Sequence, residues 1–252
     1  MLILGNHLLA QPDIKKISKT MVELSEGLFI SPYEVSNELY HAFLQSIATN
    51  GNDGEIALAQ IDSAAWSRNA LYNMPYTEYY HKHPAYANYP VVNISHQGAE
   101  MFCEWLTNQI NTSDKSKWKK VKVRLPSEME WMMAAKGGFT DAVYAWKGEE
   151  LRNMKGQYVC NFKGEKIDAA KIAGSLTENT TITAPVSAYW PNTIGLYNMC
   201  GNVAEMLSTP DMLKGGSWYH PAQLLRIEAR IPYDGKAAPY AGFRFVLEVV
   251  EE

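Results

Sequence analysis

The side chains best suited to chemistry in this 252-residue chain are scattered rather than gathered in one motif. His81-Lys82-His83 offers two imidazoles at alternating positions, which on an extended segment point to the same side. If folding brings His220 to them, three neutral imidazoles can bind iron, copper or zinc. Against this, His83 precedes Pro84 in what reads as a surface turn, and six histidines in such a chain need no special reason. Ser217, three residues before His220, is a candidate catalytic hydroxyl, although an isolated serine more often caps backbone. Cys103, Cys160 and Cys200 match no zinc spacing and allow at most one bridge, so buried thiols are the default. Trp190, Trp218, Tyr219 and Tyr240 could line an aromatic ligand pocket. The 15 Tyr and 7 Trp equally suit the core of a loop-rich fold.

Two of the elements that must position these groups are plain in the sequence. Ser95 opens a helix in which Ala99, Phe102, Cys103, Leu106 and Ile110 recur on one buried stripe. Ser127-Glu128-Met129-Glu130 is a capping box preceded by Pro126, and Gly137-Gly138 ends the helix it opens. Val121 to Leu125 alternates ahead of that helix and reads as a strand feeding it. A third helix is expected from Asn37 to Ile47, with Leu39, Phe43 and Ile47 inward and Gly51 past its end. After Gly137 no helical period returns. So long an irregular stretch needs a ligand, an ion or extensive loop packing to order it.

At 46% apolar the chain can bury a substantial core, and a net charge of −4 gives no electrostatic footprint for nucleic acid. No apolar run reaches the roughly 18 residues that cross a bilayer. Leu2 to Ala10, followed by Gln11-Pro12-Asp13, reads either as the tail of a secretory signal lacking its basic start or as a short buried strand. No linker or repeat interrupts the rest. Residues 1–22 are therefore read as a signal remnant or N-terminal extension, and 23–252 as one domain.

Several blocks, in order, resemble the formylglycine-generating enzyme, or sulfatase-modifying factor, family. They are Phe29 to Asn37, Pro90 to Ser95 with Ala99 to Trp105, Arg124-Leu125-Pro126-Ser127-Glu128-Met129-Glu130-Trp131, and Tyr144-Ala145-Trp146. Gly195 to Glu205, Lys214-Gly215-Gly216-Ser217 and Gly242-Phe243-Arg244 complete the series. The resemblance implies an α+β, C-type-lectin-like fold with few regular elements and long ordered loops. It also implies calcium in the loop of Asn198, Gly201, Val203 and Glu205, whose mixed amide, carbonyl and carboxylate oxygens suit that ion. The alternative is that Asn198 and Glu205 only cap the loop. A second calcium is carried over to Asn161, the Phe162 carbonyl, Glu178 and the Thr180 carbonyl, although the family prefers Asp at the third position.

The resemblance also implies two copper-binding catalytic cysteines, three residues after Ser217 and five further on. His220 and Leu225 stand there instead, and no cysteine follows Cys200. Leucine can neither ligate copper nor relay an electron, so formylglycine synthesis by the family route is not expected. The expected function is a non-catalytic, calcium-stabilised scaffold for extracytoplasmic binding or assembly with a protein partner in the cell envelope. That places it in the periplasm, at the outer membrane or outside the cell. The segment from His83 to Asn93 resembles members linked to gliding motility and type IX secretion in Bacteroidetes. The alternatives are a divergent iron or copper oxidoreductase and a lectin-like module for a glycan or peptide.

Overall fold

The computed structural model describes residues 12–69, 74–164 and 182–251. The reading of Leu2 to Ala10 therefore lies outside the described residues. Helix α1, Ile14–Thr20, falls in the stretch read as an extension, yet Ile14 and Met21 join the main apolar core.

The helices expected from caps form where the caps stand. In α6, His96–Asn111, the Ser95 hydroxyl accepts from the Gly98 N–H, and the predicted stripe is buried together with Trp105. Helix α7, Glu128–Lys136, has both arms of its capping box. It ends at Gly137 in the left-handed region, where a Cβ would lie 2.5 Å from the Thr193 hydroxyl. Helix α2 runs Asn37–Asn50, about a turn beyond expectation. Its most buried residues are Asn37, Tyr40, Ala42 and Phe43, with Leu39 and Ile47 only packed against the edge of the core. The rotation follows from Tyr40, whose ring lies among Phe43, Phe102 and Phe243 and whose hydroxyl donates to the Ala59 carbonyl at 2.9 Å. Short helices α3 (Asp53–Ala59), α4 (Ala65–Asn69) and α5 (Met74–Tyr79) follow, too brief to show a period in sequence.

Two four-stranded sheets hold the described chain. The first runs β1 (Val22–Ser25), β2 (Leu28–Ile30), β8 (Val246–Glu251) and β3 (Lys120–Arg124), all antiparallel. The last strand thus lies between elements from the first half of the chain. The outer edge of β3 is not left bare. Its Val121 and Val123 N–H groups donate to Asn111 Oδ1 (2.8 Å) and Thr107 Oγ1 (2.9 Å) of α6. The second sheet orders β6 (Ile231–Pro232), β5 (Met212–Lys214), β4 (Ala204–Met206) and β7 (Ala241–Gly242), with β4 and β7 parallel. These short strands bring Glu205 beside Gly242, two residues from Arg244.

Candidate functional site

A buried polar network fills the space between the two sheets' loops. Glu205, fully buried, accepts from Arg244 Nε (2.7 Å) and Nη2 (2.6 Å) and from the Trp131 indole (2.7 Å). Arg244 spends its other donors on the carbonyls of Ser31, Pro32 and Tyr197. Each polar atom is answered, as burial of an ion pair requires. Beside it Glu34, 2% exposed, accepts from the side-chain amides of Asn198 (3.0 Å) and Asn202 (2.9 Å). Burial, above all, pushes the Glu34 carboxyl up to about 8. Arg244 and the two amides oppose that rise, and the nearby Glu205 adds to it.

Local backbone makes this possible. Asn198 and Asn202 have φ of 53° and 66°, a left-handed conformation that asparagine tolerates. Gly201 has φ 93°, and a Cβ there would stand 2.5 Å from the Asn161 carbonyl oxygen, so no larger residue fits between the two segments. Asn202 Oδ1 in turn accepts from the Ala184 N–H (2.7 Å) and the Asn161 amide (3.3 Å). Asn161 is 1% exposed, and its own Oδ1 has no hydrogen-bond partner. A buried oxygen left that way costs free energy unless a cation or water meets it.

The residues expected to hold calcium are thus brought together in part. Asn198 and Asn161 join one network, with Gly201 and Val203 flanking the Asn202 that links them, while Glu205 has both oxygens on Arg244 and Trp131. Glu34 was missed by sequence reasoning, as was Asn202. The signal for Glu34 was a single acid inside the apolar stretch from Phe29 to Val35. Glu178 and Thr180 lie outside the described residues.

The histidines do not converge. His81 sets Nδ1 at 3.0 Å from Asn37 Oδ1 and Nε2 at 3.4 Å from the Asn93 amide, and burial, with His41 nearby, lowers it to about 3. His83 accepts from the Ala85 N–H at the start of a short 3-10 turn, Pro84–Tyr86. His220 sets Nδ1 2.7 Å from the Ser217 hydroxyl, and burial followed by Lys163 lowers it to about 4, so the ring is neutral and shares a hydrogen bond with Ser217. Among the described residues no three His, Cys, Asp or Glu side chains come together as a metal would require. The three-imidazole site expected as an alternative is not formed, because each ring is spent on a separate local contact.

Ser217 is fully buried and also accepts from the Tyr219 N–H at 3.1 Å, the arrangement of a turn former. Leu225 closes a 3-10 turn, Ala222–Leu225, and is fully buried in a cluster with Trp131, Leu196 and Met199. Its Cδ2 would lie 2.7 Å from a Cβ on Gly216, so position 225 is filled to contact. Cys200 accepts from the Ala145 N–H, and burial pushes its thiol up to about 12. The four-ring pocket forms in part. Trp218 packs on Tyr219 and Tyr219 stacks on Tyr240, with centroids 5.6 and 5.7 Å apart, whereas Trp190 lines a separate hollow.

Similar proteins bear on this geometry. Residues 3–249 match a family model described as the sulfatase-modifying factor enzyme 1-like domain. The chain is 34% identical over 160 residues to a formylglycine-generating enzyme of Thermomonospora curvata, covering 63% of this chain and 45% of that protein. It is 31% identical over 144 residues to a Bos taurus protein named inactive C-alpha-formylglycine-generating enzyme 2, covering 53% of this chain and 40% of that one. This chain spans less than half the length of these relatives. PvdO from Pseudomonas aeruginosa shares the fold at a TM-score of 0.56 and 17% identity, over 88% of this chain and 80% of that one.

Proposed function

This chain belongs to the sulfatase-modifying factor enzyme 1-like family, and we propose that it is a non-catalytic, calcium-stabilised scaffold for binding or assembly outside the cytoplasm. The observation that carries this reading is Leu225. Where the family resemblance puts the second copper thiol, an apolar side chain is packed to contact in a closed cluster. The first position, His220, is neutral and bonded to Ser217. Neither can supply the thiolate that copper chemistry in this family needs. One relative with comparable identity is itself named inactive.

Calcium is supported by the donor set. The unpartnered Asn161 Oδ1 fits the second ion, together with the Phe162 carbonyl. Glu34, Asn198 and the Gly201 and Val203 carbonyls fit the first, where Glu205 would share its charge with Arg244. When bound, the ion would neutralise a buried carboxylate and order the loops. An envelope partner and a role near type IX secretion or gliding rest on the resemblance of His83 to Asn93 alone.

Metal analysis of protein purified without chelator tests the reading. It should show calcium and no stoichiometric transition metal. One equivalent of copper or iron, lost on His220→Ala, would sink it. EDTA should lower Tm, because an ion that binds only the folded state stabilises it by mass action. An unchanged Tm counts against both calcium sites.

A further inference from the structure

Five of the eight large apolar residues exposed on the described surface, Met129, Met133, Phe139, Met154 and Trp190, do not scatter. They lie along three adjoining hollows of about 390, 390 and 400 Å³. The first, over the outer face of α7, shares Phe139 and Thr140 with the second. The second shares Trp146 and Lys147 with the third, whose lip carries Trp190. The three hollows thus adjoin in a row, linked by these shared residues, and together form the trough. Exposed apolar residues are ordinary singly, but a contiguous row of them marks an interaction surface.

Its chemistry narrows the occupant. The trough is rich in thioethers, which adapt to apolar side chains of varied shape and suit a sugar poorly. Trp190 is 59% exposed, a rigid ring available to an incoming group. Charge decides the rest. Among the described residues, Asp141, Glu149 and Glu150 on the rim make no ion pair. Of the rim cations, Lys136 pairs with Glu228 at 3.5 Å, which leaves Lys147 and Arg152, the latter 3.6 Å over the Tyr158 ring, against these three carboxylates. An apolar trough with a surplus of free carboxylates complements a segment that mixes apolar residues with lysine or arginine. It disfavours a second copy of a chain whose net charge is −4.

We infer that this trough is the docking site for a cationic amphipathic protein segment. The inference names the partner class of the scaffold proposed above and rests on that reading. The test uses the full chain and a fluorescein-labelled Leu/Lys amphipathic peptide, read by anisotropy and by quenching of Trp146 and Trp190. The peptide should bind, and a Leu/Glu counterpart should not. Phe139→Ser and the Glu149→Lys/Glu150→Lys pair should each weaken binding about tenfold, with Tm held as the control for folding. Added salt should weaken the wild-type complex and, by screening repulsion, not weaken the charge-reversed one. Failure of the Leu/Lys peptide to bind, equal binding of the Leu/Glu peptide, or indifference to both variants overturns the inference. Metal analysis separates the two failures. A copper- or iron-loaded chain that still binds the peptide defeats the scaffold and leaves the trough, and a calcium-only chain with an inert trough does the reverse.

Discussion

The first half of this chain and its last third solve the same problem, the burial of backbone, by opposite means. Between Val22 and Lys136 lie the long helices and three strands of the first sheet, where polar side chains serve mainly at ends and edges. Ser95, Ser127 and Asn52 cap helices, and Asn111 and Thr107 cover an edge strand. Each such contact is one of several. From Ile182 to Phe245 the strands have only two or three residues, and the loops between them are tied by side chains that are themselves buried. Arg244 alone holds carbonyls from residues 31, 32 and 197. The difference teaches that stability resting on few polar contacts is less redundant. A single polar substitution should cost far more in the loops than in the regular half.

The sharpest test is Glu205→Ala. It strands the fully buried Arg244 guanidinium, and should cost about 3–5 kcal/mol in denaturant unfolding. A loss below about 1 kcal/mol would erase the contrast. Leu225→Ala comes next, at about 3 kcal/mol, because it opens a cavity beside Gly216 and Trp131. Were Leu225 instead a tolerant surface residue, unfolding would hardly change and the packing argument would fall.

pH offers a smaller effect in both regions. His81 and His220 are held neutral, with pKa values near 3 and 4, below the ordinary 6.5. At these two sites the unfolded chain therefore binds more protons, so their contribution to stability falls as pH drops from about 6.5 and levels off near 3 to 4, against the opposite contribution of Glu34, which grows as pH falls from about 8. His220→Gln should remove about 2 kcal/mol of that fall, seen as a flatter plot of unfolding free energy against pH. An unchanged slope would mean His220 is not held neutral. The smallest effect belongs to the regular half. Ser127→Ala removes a helix cap and should cost about 1 kcal/mol, since Glu130 keeps its two bonds to Arg124. A loss as large as that of Glu205→Ala would reverse the comparison.

Legibility follows the same division. Helices α6 and α7 and strand β3 could be read because caps and apolar periods are local, and each residue testifies about its own neighbours. Helix α2 was found but turned, because its buried face was set by Tyr40 meeting Phe102 and Phe243 from distant segments. In the site, Asn198, Gly201 and Glu205 could be singled out by residue type and resemblance. Their partners could not, since Glu34 lies 164 residues before Asn198, and Asn161 lies 41 before Asn202. The three histidines looked alike in sequence, and only their separate contacts with Asn37, Ala85 and Ser217 told them apart.

By itself, then, the amino-acid sequence determined what could not happen and where the regular elements begin and end. Leu225 lacks a ligating atom wherever it is placed, and Ser127 caps whatever helix follows it, because these are properties of a side chain and its near neighbours. Tertiary structure alone decided which buried charges face each other and which apolar residues line up as a trough. Glu205 meets Arg244 through the parallel pairing of β4 with β7. Met129 and Trp190 line hollows joined only through a third, by loops that no local period encodes. Both depend on chain segments far apart in sequence, and only their packing brings them together.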